Sequence, residues 1–417
     1  MTNIVQLVSF ILHMKRVLIL LIIISMQSAL GLRIDMSDFV VYLVLLYILV
    51  RSFIDLKYKF YLANKFLIIP LLFFTILSVT NGGIHSVFHL ISTIKALIGF
   101  LVIAMLVRDD ADIRYTLKCF IITTTMSALI GIGQEIVYLT TKRTLVGFIS
   151  ARQLRLFFNE TPLGFMLRVP ALTGSYILLA NYLVIAMIAL FCLLSFGLIK
   201  RNNFKVYMAF LSMFIALMLT FSRSSEIALI IGILLCFSLK WRHYIIHFIV
   251  ILLLAILVSI IIGLTDKIAE SFIKEKCLLG DLGVRLQLLR EGMSGFVLRH
   301  PYIGTGIGKA NKYTPNVHSW PVHNNFVRIV DEIGIFGFIV YVIIFLRMFL
   351  KTMLMLILAE KENKENRDVL IILTGIIFVL TFNLQFHPTT IDYYIFATIA
   401  FIEGILIVEA KKLKPLS

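Results

Sequence analysis

Apolar runs approaching the length of a bilayer crossing recur along almost the whole chain, and one long polar stretch, residues 265–325, breaks the rhythm. About 20 consecutive apolar residues is the helix length that spans hydrocarbon. Backbone amides find no water there, so such runs fold as helices and not as open strands. Twelve segments fit, near 17–32, 34–50, 66–80, 87–107, 115–139, 172–198, 206–222, 224–239, 244–264, 326–350, 369–386 and 390–408. The composition agrees: 60% hydrophobic, 15% charged, mean hydropathy +0.99. A soluble domain is about half apolar and about a quarter charged. The expected fold class is all-α, a polytopic integral membrane protein of about 12 transmembrane helices with a large outer loop containing short amphipathic helices.

Charge sets the orientation. The chain carries a net +16, which would suit nucleic acid in a soluble protein. Here most of the surplus lies at span ends, so no nucleic-acid partner is expected. The connections 51–65, 200–205, 240–242, 351–367 and the tail 411–414 are basic, and alternation of twelve spans puts all five on one side. Lys and Arg mark the cytoplasmic side, so both termini are expected there. The N-terminal Lys15-Arg16 before an apolar run reads as a retained signal-anchor span without a convincing cleavage site. The four cysteines have no metal or disulfide spacing, and neither a metal nor a cofactor is expected.

Two outer connections break the charge rule. The basic loop 140–171 carries Lys142, Arg143, Arg152, Arg155 and Arg168 against the single acid Glu160. The 265–325 stretch carries eight Lys or Arg and five Asp or Glu. Topology does not require these cations; a bound anion explains them, and contact with anionic headgroups is the plainer alternative. The chain reads as one membrane domain, 1–417, with these two loops as its outer features. Within the longer one, Leu286, Leu289, Met293, Phe296 and Val297 recur at helical spacing, the pattern of a helix lying on a bilayer. The turn His300-Pro301-Tyr302-Ile303-Gly304-Thr305-Gly306-Ile307-Gly308 follows, where alternate glycines let backbone approach a ligand closely.

His323 stands just before the segment 326–350. An imidazole there can take a proton from a hydroxyl; the alternative is a polar anchor at headgroup level. Asn324 and Asn325 can cap a helix or bind a ligand. Arg285, one turn before Leu289, holds a guanidinium at headgroup depth, where it can grip phosphate through paired hydrogen bonds. Arg223, in Ser222-Arg223-Ser224, lies at an outer junction and either binds an anion or pairs with Glu226. Arg168, Arg155 and Arg290 are further cation candidates. Lys95 and Glu135 read as a buried pair. Asp331 is spaced to pair with Arg328, leaving Glu332 without a partner. Asp110-Ala111-Asp112 reads as a solvated turn.

Several marks together resemble the O-antigen ligase/polymerase superfamily. They are Arg285 followed by Leu289, His323 followed by ten residues and then Gly334, the turn from Arg299 to Gly308, and Ser222-Arg223-Ser224. The specific likeness covers about 220–340. It implies a multi-pass protein of the bacterial inner membrane that transfers an undecaprenyl-pyrophosphate-linked glycan on the periplasmic face, without metal or cofactor. His323 would be the base, and Arg285, Arg223 and, less closely, Arg168 would hold the pyrophosphate. The acceptor would be another lipid-linked unit for a polymerase or the lipid A core for a ligase; the compact long loop favours the polymerase. A chain-length regulator protein is a further expected partner. The alternative is a polysaccharide-unit flippase or other secondary transporter, using Lys95, Glu135, Asp331 and Glu332 inside the membrane.

Overall fold

The computed structural model describes residues 2–27, 40–48, 65–143, 158–161, 164–173, 175–199, 204–241, 300–308, 325–361, 367–384 and 393–413. The apolar segment 244–264, the basic stretch 144–157 and the long loop up to residue 299 lie outside them. The helices are α1 (Thr2–Gln27), α2 (residues 40–48), α3 (Lys65–Gly82), α4 (Ile84–Ile103), α5 (Asp110–Thr141), α6 (Tyr176–Ser195), α7 (Phe204–Leu219), α8 (Arg223–Lys240), α9 (Asn325–Lys361), α10 (Arg367–Leu384) and α11 (Tyr393–Leu413). Among the described residues, the helices are accompanied by one antiparallel hairpin, β1 (Phe158–Thr161) with β2 (Gly164–Leu167), where Phe158 faces Leu167 and Thr161 faces Gly164.

Five described helices are long and apolar enough to cross a membrane: Ser86–Ile103, Asp110–Thr141, Tyr176–Ser195, Asn325–Glu360 and Arg367–Leu384. Phe66–Gly82 and Phe204–Leu219 are apolar but shorter. The most enclosed are α6 and α10, with 72% and 67% of their apolar windows buried. Helix α6 has no polar face to offer solvent, and a helix apolar all round belongs inside a bundle. It packs on α5, α7, α8 and α10. Helix α4 lies along α11, and α3 along α9.

Local chemistry starts and stops these helices. Asp109 caps α5 by accepting from the Asp112 amide at 2.8 Å, and Ser175 caps α6 by accepting from the Leu178 amide at 3.5 Å. Each cap satisfies an amide the first turn leaves over. Lys142 closes α5 in the left-handed region, φ 55, with its amide on Tyr138 O at 2.8 Å. At the foot of α8, the Arg367 guanidinium donates to Leu239 O at 3.0 Å and Lys240 O at 3.3 Å.

The bundle has two chemically different ends. One, the basal end, holds the ion pairs Lys15–Asp112 at 2.6 Å, Lys240–Asp368 at 2.5 Å and Lys351–Glu403 at 3.0 Å. Asp112 is therefore buried and paired, and also accepts from the Arg108 amide at 3.0 Å; the expected solvated turn is instead a joint between α1 and α5. The other end gathers the α3–α4 junction, the hairpin, the α7–α8 junction and residues 300–308.

Helix α9 departs furthest from expectation. Gly334 sits inside it at φ 74, ψ 178, outside helical geometry. Asn325 Nδ2 donates to the Tyr341 hydroxyl at 2.8 Å, and the Phe326 ring lies 6.1 Å from Phe338 and 6.2 Å from Tyr341. Sixteen residues of straight helix would hold Asn325 and Tyr341 about 24 Å apart. The first nine residues, 325–333, therefore fold back on 335–361 as a helical hairpin hinged at Gly334. The expected single span 326–350 is in fact a short re-entrant helix followed by a long one.

Candidate functional site

The hinge in α9 leaves backbone groups that its own helix cannot satisfy. Burial without partners would be costly. The turn 300–308 supplies the partners. The Thr305 amide donates to Asp331 O at 2.7 Å, the Gly306 amide to Glu332 O at 3.1 Å, and the Ile335 amide to Pro301 O at 2.9 Å. Thr305 Oγ1 adds a bond to Asp331 O at 3.0 Å. On its other side the turn is held by Asn81, whose Nδ2 donates to Gly304 O at 2.9 Å. Tyr302, Phe336 and Phe74 stack in series, with centroids 6.0 and 5.9 Å apart.

The glycines explain how backbone fits so closely on both faces. A Cβ on Gly304 would stand 2.4 Å from Glu332 O, and one on Gly306 would stand 2.4 Å from the Gly82 Cα. A Cβ on Gly334 would stand 2.2 Å from Tyr302 O. Gly304, Gly306 and Gly308 have φ of 85, 108 and 79, a region that side-chain-bearing residues seldom occupy. The sequence pattern suggests close approach to a ligand. Among the described residues, at Gly304, Gly306 and Gly334 the close approach serves the protein's own backbone.

Charged groups on the short arm of α9 pair differently from their sequence spacing. Arg328 Nε donates to Glu332 Oε1 at 2.9 Å, one turn on, with Glu332 buried. Asp331 instead receives Thr305 Oγ1 at 3.5 Å. Glu332 thus takes the partner expected for Asp331. Asn325 is buried against Tyr341 as the first residue of α9.

A second cluster surrounds Arg168. The Leu167 amide donates to Glu135 Oε2 at 3.1 Å. The Val169 amide donates to Leu219 O at 3.2 Å. Gln134 and Ala171 exchange two bonds, Gln134 Nε2 to Ala171 O at 3.2 Å and Ala171 N to Gln134 Oε1 at 3.0 Å. Ala171 stands at φ 48 against Gly131, where a Cβ would meet Val169 and Ala171 side chains. With its chain neighbours tied on both sides, half-buried Arg168 places its guanidinium 5.3 Å from the Tyr176 ring centre and donates to the Tyr176 hydroxyl at 3.3 Å. Glu135 therefore meets backbone and not Lys95, which corrects the expected buried pair.

Arg223 opens α8 just after Phe221, at φ 52, and Ser222, whose hydroxyl lies 2.9 Å from that of buried Ser225. Arg223 is exposed and lies within electrostatic reach of Glu226, one turn on, without a contact as short as the ion pairs of the basal end. The Val169–Leu219 bond brings the Arg168 segment to this junction, so Arg168 and Arg223 share one end of the bundle with the 300–308 turn. His323, Asn324, Arg285, Arg290 and Arg155 lie outside the described residues.

Sequence reasoning missed Asn81, Gly82, Gln134, Tyr176 and Tyr341. A polar residue within or beside an apolar run was the available signal for Asn81 and Gln134; nothing in sequence joins residue 81 to residue 304.

No curated protein matches the chain. Residues 208–342 match the family model described as O-Antigen ligase, a stretch that contains Arg223, the 300–308 turn and the Gly334 hinge, and Arg168 falls outside it. That match, over residues 208–342, supports membership of the O-antigen ligase/polymerase superfamily.

Proposed function

We propose that the chain is a metal-independent, inverting glycosyltransferase of the bacterial inner membrane, with about twelve spans, both termini cytoplasmic and its site on the periplasmic face. It moves a glycan from undecaprenyl pyrophosphate to an acceptor hydroxyl, on another lipid-linked unit or on a lipid A core. The acceptor oxygen attacks the anomeric carbon as the bond to the pyrophosphate oxygen breaks. The polyprenyl pyrophosphate leaves with the electron pair, and His323 takes the hydroxyl proton. Attack opposite the leaving group inverts the anomeric centre. Arg285, Arg223 and Arg168 balance the charge that grows on the departing group, an effect strongest where water is excluded.

One observation carries this reading: the 300–308 turn, docked on the Gly334 hinge, sends the short arm of α9 back into the protein. Asn325, the first residue of α9, is a buried anchor, and His323 precedes it by two residues in the sequence. That supports the reading of His323 as the base over that of a polar anchor at headgroup level. The basal end carries Lys15, Lys240, Lys351 and Arg367, which supports a cytoplasmic basal side and so supports an outer side for Arg168, Arg223 and the hinge.

The test offers purified protein lipid-linked units as both donor and acceptor, with no ion gradient. We expect joined units from the parent and a fall of about 100-fold or more for His323→Ala at equal protein level. An unchanged rate would overturn the base assignment.

A further inference from the structure

At the basal end, α5, α6 and α7, with Val369 of α10 and Glu409 of α11, line an open cavity of about 800 Å³. That lies within the range, roughly 300–1,000 Å³, of pockets that hold discrete small molecules. We propose that it seats one monoanionic membrane phospholipid, phosphate at the rim and hydrocarbon along the wall.

The order of residues on each wall carries the argument. On α5 the charged lining residues Asp110, Arg114 and Lys118 alternate with Ile113 and Leu117, and beyond Lys118 the lining is uncharged, Ile121, Ile122, Thr125 and Met126. At 1.5 Å per residue the stretch that carries charge occupies about the first 12 Å and the uncharged stretch about the next 12 Å. On α7 the same order holds, with Lys205 at the rim and then Val206 and Ala209. Leu190 and Leu193 of α6 close the apolar depth. Both flanking walls therefore run from cation to hydrocarbon in the same direction, as an anionic amphiphile does.

Charge complements a single phosphate. Three cations line the cavity with two acids, Asp110 and Glu409, leaving one positive charge in excess. Arg114 and Lys118 are exposed and form no ion pair among the described residues. They stand one turn apart on one helix face, so two donors can reach one phosphate. Topology alone explains cations at a cytoplasmic helix end; it does not explain a hollow behind them with apolar walls.

The experiment is native mass spectrometry of the full chain in detergent, offered phosphatidylglycerol or phosphatidylcholine with the same acyl chains. The parent is expected to retain phosphatidylglycerol about tenfold or more over phosphatidylcholine. Arg114→Gln with Lys118→Gln should bring the two to parity. Ala209→Trp or Thr125→Trp, which fill the cavity from opposite walls, should each release both lipids from monodisperse protein. Equal retention of the two lipids by the parent would overturn the proposal, as would a preference that survives the paired glutamines. Displacement of bound lipid by millimolar inorganic phosphate would show a headgroup site without a hydrocarbon seat and would overturn it as well.

Discussion

Replacing Gly334 by Ala tests the hinge directly. The added methyl would stand 2.2 Å from Tyr302 O, 2.4 Å from Tyr302 C and 2.6 Å from Ile303 N, all backbone atoms that no rotamer change can clear. The backbone at φ 74, ψ 178 is open to glycine and costs other residues about 1–3 kcal/mol. Relief requires the turn to lift, which breaks the Thr305–Asp331, Gly306–Glu332 and Ile335–Pro301 bonds, each worth about 1 kcal/mol net. The docked turn is thus weakened by about 4 kcal/mol, or about a thousandfold in its equilibrium. Glycan joining in vitro, at matched protein amount, should fall at least ~100-fold. Gly133→Ala is the control: beyond its own stretch of helix, no atom lies within 4 Å of the point its methyl would occupy, and Ala is favoured over Gly in a helix by about 1 kcal/mol. Its activity should match the parent and its melting temperature should not fall. A Gly334→Ala protein with parental turnover and melting would refute the account of the hinge.

Three further outcomes follow from buried contacts. Tyr341→Phe removes the acceptor of Asn325 Nδ2 and leaves a buried donor, a cost of about 1–3 kcal/mol; turnover should drop more than melting temperature does. Gln134→Ala removes both bonds to Ala171 and should weaken donor-lipid retention, read by native mass spectrometry, with Gln134→Glu restoring only the bond that Oε1 accepts. Lys15→Met strands Asp112 in the core, costing about 3–5 kcal/mol; Lys15→Met with Asp112→Leu should recover most of the lost melting temperature in a detergent thermal scan.

The helical class and the membrane setting were legible because apolar run length is written into consecutive residues. The pairing of Gly304 and Gly334 was half legible: both glycines belong to marks that suggested the family, but their mutual contact depends on a fold-back of α9 that no periodicity reports. Residues 326–350 form one apolar run whether or not the helix breaks at its second turn. The Arg328 partner was misread because i, i+3 and i, i+4 spacings are equally available on a helix, and sequence spacing does not say which carboxylate the guanidinium takes. Arg168 was legible as a cation out of place. Its support was not, since Glu135 and Gln134 bind main chain, and main-chain partners leave no trace in side-chain identity.

The staple between the hinge and the α3–α4 junction also has an order in time. The ribosome delivers Asn81 and Gly82 first, Gly304 and Gly306 much later, and Gly334 last. Once the two turns after the hinge have emerged, carrying Ile335, Phe336, Phe338 and Tyr341, every group that holds the re-entrant arm exists, so it can lock without waiting for α10 and α11.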